Sequence, residues 1–174
     1  KETAKFTAGV ITSEKNAFGY NYVVNRNGLA WHYWAGRGTG ALPNGRKAGA
    51  PFNDGSLSPM PGLDREGPTA LLNSALKADY TDAAAAILNV KFPLVFVKSA
   101  GANEKVASMV EMFMKNGGTH IQFNFLDKEV LLDAKKRPDK YRDLVVRVAG
   151  YSAFFVSLTP EVQDEIIART EQWM

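Results

Sequence analysis

Cysteine is absent from all 174 residues. Its absence excludes a disulfide framework, a thiolate nucleophile, a cysteine-based zinc site and an iron–sulfur cluster held by this chain alone. Histidine is scarce: His32 and His120 stand far apart, with no HExxH spacing, so no metal site is expected. An excess of one charge is also missing. The 21 basic and 18 acidic residues leave a net charge of +3, and the basic residues are scattered, which argues against nucleic acid as a partner. No apolar run approaches the roughly 20 residues of a membrane span, and KETAKFTAGV at the start lacks the apolar stretch of a secretory signal. A soluble, cytoplasmic protein with no membrane partner is the expectation.

What is present divides in two. Residues 1–66 are expected to form an irregular Gly-, Pro- and aromatic-rich segment, and residues 67–174 an α/β domain. Lys5 to Thr12, KFTAGVIT, has the β-branched composition of a short strand. From Asn16 to about Gly67 the chain is dense in Gly, Pro and Asn and cannot be one long helix or strand. Tyr20, Tyr22, Trp31, Tyr33, Trp34 and Phe52 give it too much aromatic surface for a solvated linker, so it is expected to lie against another part of the protein.

After Gly67 the pattern turns α/β. Pro68 to Lys77 reads as a helix opened by proline, and Ala86 to Phe92 as a strand ahead of Pro93. Asn103 to Lys115 spaces Val106, Met109, Val110 and Phe113 helically, with Asn116, Gly117 and Gly118 as a stop. Thr119 to Phe125 alternates: Ile121, Phe123 and Phe125 share one face, and His120, Gln122 and Asn124 the other. Asp127 is placed to cap a helix through about Lys136, Leu144 to Val148 reads as an apolar strand, and Phe154 to Leu158 as another. Thr159 and Pro160 open a last helix to about Gln172, with Val162, Ile166 and Ile167 as its buried stripe.

Two glycine-bearing segments invite chemistry. GRGTGALPNGRKAG has glycines and the cations Arg37, Arg46 and Lys47, as an anion cradle needs, but Arg46 and Lys47 stand where a phosphate loop requires Lys and then Ser or Thr. A turn-rich structural loop is the better reading. In DLVVRVAGYSAFF, an apolar strand delivers the chain into Ala149, Gly150, Tyr151 and Ser152 and returns to apolar aromatics, so this turn is expected to be buried. On physics alone it is a tight turn needing a positive φ.

RVAGYSAFF, followed by TPEVQDEIIARTEQ, resembles the C-terminal signature of glycyl radical enzymes, the family of pyruvate formate-lyase, glycerol and diol dehydratases and arylacetate decarboxylases. The resemblance runs back through GGTHIQFNFLDKEVLLDAKKRPDKYRDLVV to LPNGRKAGAPFNDGSLSPMPGLDREGPTALLNSALK, and it is closest to the dehydratase and decarboxylase branch. It implies an α/β fold, the C-terminal part of a ten-stranded barrel with a buried radical loop and a C-terminal helix. It implies that Gly150 stores a radical, installed post-translationally, with Arg147, Val148, Ala149, Tyr151 and Ser152 supporting the loop. Val148, Tyr151, Phe154 and Phe155 are expected to shield it. No other organic cofactor or metal is expected in this chain.

The same resemblance implies partners. A cysteine loop on the remainder or large subunit of the enzyme relays the radical to a small organic substrate. An activating enzyme with S-adenosylmethionine and an iron–sulfur cluster installs it. The family's cysteine loop lies upstream of anything in this sequence, so a fragment or split subunit is expected, the alternatives being a spare-part domain that replaces an oxygen-damaged one or a non-catalytic interaction module that retains the fold. Asn89, Phe92, His120, Gln122 and Asn124 are expected to line a substrate cavity.

Overall fold

Periodicity and proline placement account for most of the elements in the computed structural model, which describes residues 2–25, 28, 30–78, 83–84, 86–169 and 171–172. Helix α1 (Glu2–Ser13) and the short α2 (Trp31–Arg37) precede α3 (Pro68–Leu76), whose proline sits in the first turn where no amide donor is needed. Strand β1 (Ile87–Phe92), α4 (Leu94–Val97), α5 (Ala102–Lys115) and β2 (His120–Phe125) make a βαβ unit. Its strands are parallel, with Ile87 opposite His120 and Phe92 opposite Phe125. Helix α6 (Lys128–Lys136) and a 3-10 turn, Pro138–Tyr141, lead to the hairpin of β3 (Val145–Arg147) and β4 (Ser152–Phe154). A second 3-10 turn, Phe155–Ser157, and helix α7 (Pro160–Ala168) follow.

Four local expectations need correction. Lys5 to Thr12 is helical, not a strand, and Thr7 and Thr12 turn their hydroxyls back onto the carbonyls of Thr3 and Ala8, a rotamer open to threonine within a helix. Phe154 to Leu158 is not a strand either, because the chain leaves the hairpin at Phe154 and tightens into the 3-10 turn. Helix α7 stops at Ala168, four residues short of Gln172, since Arg169 adopts an extended ψ of 137°. Asp127 takes the N-cap position of α6 without a capping bond from its side chain. Its Oδ1 instead accepts the Leu94 amide at 2.7 Å, capping α4.

Two hydrophobic cores form on either side of a polar layer. In the first, Leu88, Val90 and Phe92 of β1 pack with Leu71 and Leu72 of α3, Phe96, and Met109 and Phe113 of α5. Phe123 and Phe125 of β2 close over it, stacked in series with Phe92 and Phe96. In the second, Val146, Val148 and Phe155 of the hairpin region pack with Leu131 and Ala134 of α6 and Ile166 and Ile167 of α7. Between them lies the other face of the β1–β2 sheet, where Asn89, Lys91, Gln122 and Asn124 are buried.

The edge of β1 away from β2 is also covered. Gly55 accepts the Ile87 amide at 2.9 Å, Ile87 accepts the Leu57 amide at 3.1 Å, and the Gln172 amide reaches the Lys91 carbonyl at 2.7 Å. These contacts bring the 54–58 loop and the chain's last described residues to the polar layer. Tyr20, Tyr22, Trp31 and Trp34 of the early segment are exposed. Among the described residues no helix is long and apolar enough to cross a membrane.

Candidate functional site

The turn of the β3–β4 hairpin is built by one residue type. The Val148 amide donates to the Tyr151 carbonyl at 2.9 Å, leaving Ala149 and Gly150 as the central pair. Gly150 has φ 81°, the left-handed value that the second central position of a type II turn requires and that glycine adopts without steric cost. Val148 and Ala149 are wholly buried beneath the turn.

The turn is not buried as a whole, however. Gly150 is exposed, Tyr151 and Phe154 are largely so, and of the four expected shielding residues only Val148 and Phe155 are covered. The cause is strand alternation: Val146 and Phe155 point into the second core, and Phe154, one residue before Phe155, must point away from it. Tyr151 instead joins Ala30, Trp31 and Trp34 around an open apolar concavity of about 550 Å³.

Because Val148 and Tyr151 are the hydrogen-bonded pair, the next pair, Arg147 and Ser152, turns its backbone groups outward. The polar face of β1–β2 meets them. Asn124 uses both ends of its amide on Arg147, accepting its N–H at 2.8 Å and donating to its carbonyl at 2.9 Å. Gln122 Oε1 accepts from Arg147 Nε at 3.2 Å and from the Gly150 amide at 3.4 Å. Asn89 Nδ2 donates to the Val148 carbonyl at 3.3 Å, and Arg147 Nη1 reaches Ser152 Oγ at 2.9 Å.

The structure therefore brings together Asn89, Gln122, Asn124, Arg147 and the glycine turn: the three amides bond hairpin backbone, Asn89 also donates to Asp54, and Asn89 and Asn124 line a small cavity with Asp54, Ser58 and Arg169. His120 lies at the strand's start with Nε2 2.8 Å from Gln122 Nε2. Phe92 does not belong with them. It is fully buried on the opposite face of β1, inside the first core, because residues 89 and 92 differ in strand parity.

A buried charge cluster, absent from the sequence reading, supports the arrangement from below. Arg169 makes a two-pronged bond to Glu165 at 2.9 and 3.0 Å, lies 3.5 Å from Asp54, and donates to the Arg147 carbonyl at 3.1 Å. His32 Nε2 stands 3.6 Å from Glu165. Burial opposes ionisation of Glu165, but the charge of Arg169 and the bonds from His32 and Arg169 outweigh it and hold the carboxyl at about 2. Burial raises Asp54, and Arg169 and Asn89 only partly offset it. Burial also opposes the charge on Arg169, yet Asp54 and Glu165 together keep its pKa above the ordinary value. The one available signal was the i,i+4 spacing of Glu165 and Arg169, which reads as an ordinary helix-surface pair.

The glycine-rich segment at 36–49 has the wrong polarity for an anion. Its carbonyls converge on the buried guanidinium of Arg46, which donates to Gly40 at 2.8 Å, to Gly36 at 2.5 Å and to Ala50, and stacks 4.3 Å above the Phe52 ring. The cation is consumed in holding the loop together.

Known proteins share this fold. A family model described as glycine radical matches residues 53–156, more than half of the chain. Indoleacetate decarboxylase of Tractidigestivibacter scatoligenes is 41% identical over 93% of this chain and 18% of its own length. Trans-4-hydroxy-L-proline dehydratase of Clostridioides difficile is 41% identical over 93% of this chain and 20% of its own. Among solved structures, the B12-independent glycerol dehydratase of Clostridium butyricum superimposes with a TM-score of 0.94 at 40% identity, over 99% of this chain and 22% of that one. The chain thus spans about a fifth of the length of the relatives it matches. With the glycine turn inside the matched region and dehydratases and decarboxylases as its relatives, this chain belongs to the glycyl radical enzyme family.

Proposed function

We propose that this chain is the radical-storing portion of a glycyl radical enzyme of the dehydratase, lyase or decarboxylase type, with Gly150 as the storage residue. The observation that carries the reading is the Ala149–Gly150 turn. Gly150 sits at φ 81° with no side chain, its amide is held by Gln122, and the segment before it by Asn89 and Asn124. These residues suit such a centre: a glycine Cα can flatten without a side chain clashing with its neighbours, and its two α-hydrogens leave one behind after abstraction.

When installed, the glycyl radical supplies a hydrogen-atom vacancy that a cysteine on another segment or chain relays to a small organic substrate. This chain's residues place the glycine and keep its backbone groups bonded. In the family that placement lies inside a ten-stranded barrel, and the exposed outer side of Gly150 together with the Tyr151–Trp31–Trp34 concavity suits burial against such a remainder. Tyr151 and Ser152 belong to the loop's support. Installation falls to an activating enzyme that uses S-adenosylmethionine and an iron–sulfur cluster.

Anaerobic treatment with such an activator is expected to produce a carbon-centred doublet in electron paramagnetic resonance, split by one α-hydrogen and missing from Gly150→Ala. Exposure to air is then expected to cut the chain at Gly150, read by mass spectrometry. A silent spectrum with an activator competent on a related enzyme would overturn the assignment.

A further inference from the structure

We propose that Gln122 and Asn124 are positioning residues that stand in for a missing sheet strand, and that their bonds to the Gly150 hairpin set how readily it undocks. The inference deepens the radical reading above, and its role in installation rests on that reading.

The glycine hairpin and the β1–β2 sheet are separate two-stranded sheets, and no ladder joins them. Arg147 nonetheless presents an outward N–H and C=O, the pair that a neighbouring strand would satisfy. Asn124 satisfies both from a side chain, at 2.8 and 2.9 Å, so one residue replaces one register of a ladder. Gln122, two residues earlier on the same face, does the same for the Gly150 amide and ties in the Arg147 side chain. Arg169 supplies the second donor to the Arg147 carbonyl.

A docking made of side-chain amides differs from a ladder in one respect. It can be broken without disturbing strand backbone, so β1–β2 and the phenylalanine core need not open when the hairpin leaves. Both Gln122 and Asn124 are buried, at 5% and 4% exposure, and their exchange of partners from loop to water is therefore the step that undocking requires.

Amide hydrogen exchange on the full chain tests this without any radical. Gln122→Met keeps the shape and removes the acceptor, Gln122→Glu keeps the acceptor, and Asn124→Leu removes both ends of its clamp. Each lost bond is expected to speed exchange at Gly150 or Arg147 by about five- to tenfold, the net worth of one hydrogen bond. Val90 and Phe92, whose backbone groups face β2 in the ladder, should keep wild-type rates, and Gln122→Glu should restore slow exchange at Gly150. Unmoved rates at Gly150 and Arg147, or a common acceleration of every amide, would overturn the proposal. Should Asn124→Leu fail to fold, the Met and Glu pair at 122 decides alone.

With activator present, Gln122→Met should also gain its doublet faster than wild type while its thermal midpoint stays close. An unchanged rate of gain would overturn the functional half of the proposal. If exchange shifts as expected and wild type never shows a doublet, the clamp stands and the radical assignment falls.

Discussion

Gly150 occupies a backbone conformation that costs an L-residue about 1–2 kcal/mol. Gly150→Ala is therefore expected to fold with a modestly lower urea midpoint, which makes it a usable control for the radical experiment rather than a collapsed one. Glu165 carries a pH dependence. Its folded pKa of about 2 lies below its ordinary 4.5, so its contribution is complete above pH 4.5 and is lost as the pH falls toward 2. Asp54 acts with the opposite sign: burial raises its pKa, and its ionisation weakens the fold as the pH rises through the folded value. A thermal series from pH 5 to 2 should be flatter for Glu165→Gln than for wild type. Parallel curves would place the acid loss on other carboxylates. The positive-φ turn at Gly150 was readable from RVAGYSAFF, whereas the burial of Arg169 was not, because a Glu–Arg pair one turn apart looks the same on a surface as beneath a loop.

Elements that carry their own periodicity were readable in advance. The spacing of Met109 and Phe113 marks α5, and the alternation of 119–125 marks β2, because each pattern records which side of the element meets apolar neighbours. What the polar side of β2 meets is not recorded there. Gln122 and Asn124 bind loop backbone that is local to neither strand, and only the packing of the hairpin against the sheet reveals it. Asp127 teaches the same lesson at a helix end: its position predicts a cap for α6, and its carboxylate caps α4 instead. Asp127→Ala is expected to cost about 1 kcal/mol. It should speed exchange of the Leu94 amide while Leu131, whose amide is bonded to the Asp127 carbonyl, stays protected. Faster exchange at Leu131 alone would reverse the assignment.

Across the whole molecule, two apolar cores are joined through a polar layer rather than merged. Arg169 is the centre of that layer, touching Asp54 of the 54–58 loop, Glu165 of α7 and the Arg147 carbonyl of the hairpin. Arg169→Ala strands two buried carboxylates, and a cost of about 3–5 kcal/mol is expected. The loss should fall unevenly: amides of the hairpin and α7 should exchange faster first, while those of β1 and β2 hold. Uniform loss of protection would show that the layer couples the cores rather than dividing them.

The division has a consequence for the order in which the chain assembles during synthesis. The β1–α4–α5–β2 unit, with its phenylalanine stack, is complete before the hairpin and α7 leave the ribosome. Its exposed row of Asn89, Gln122 and Asn124 then waits as a template, and the glycine turn is the late arrival that finds its place by reading amides already set out. Pulse-labelled exchange during refolding should accordingly show Val90 and Phe92 protected ahead of Arg147 and Gly150.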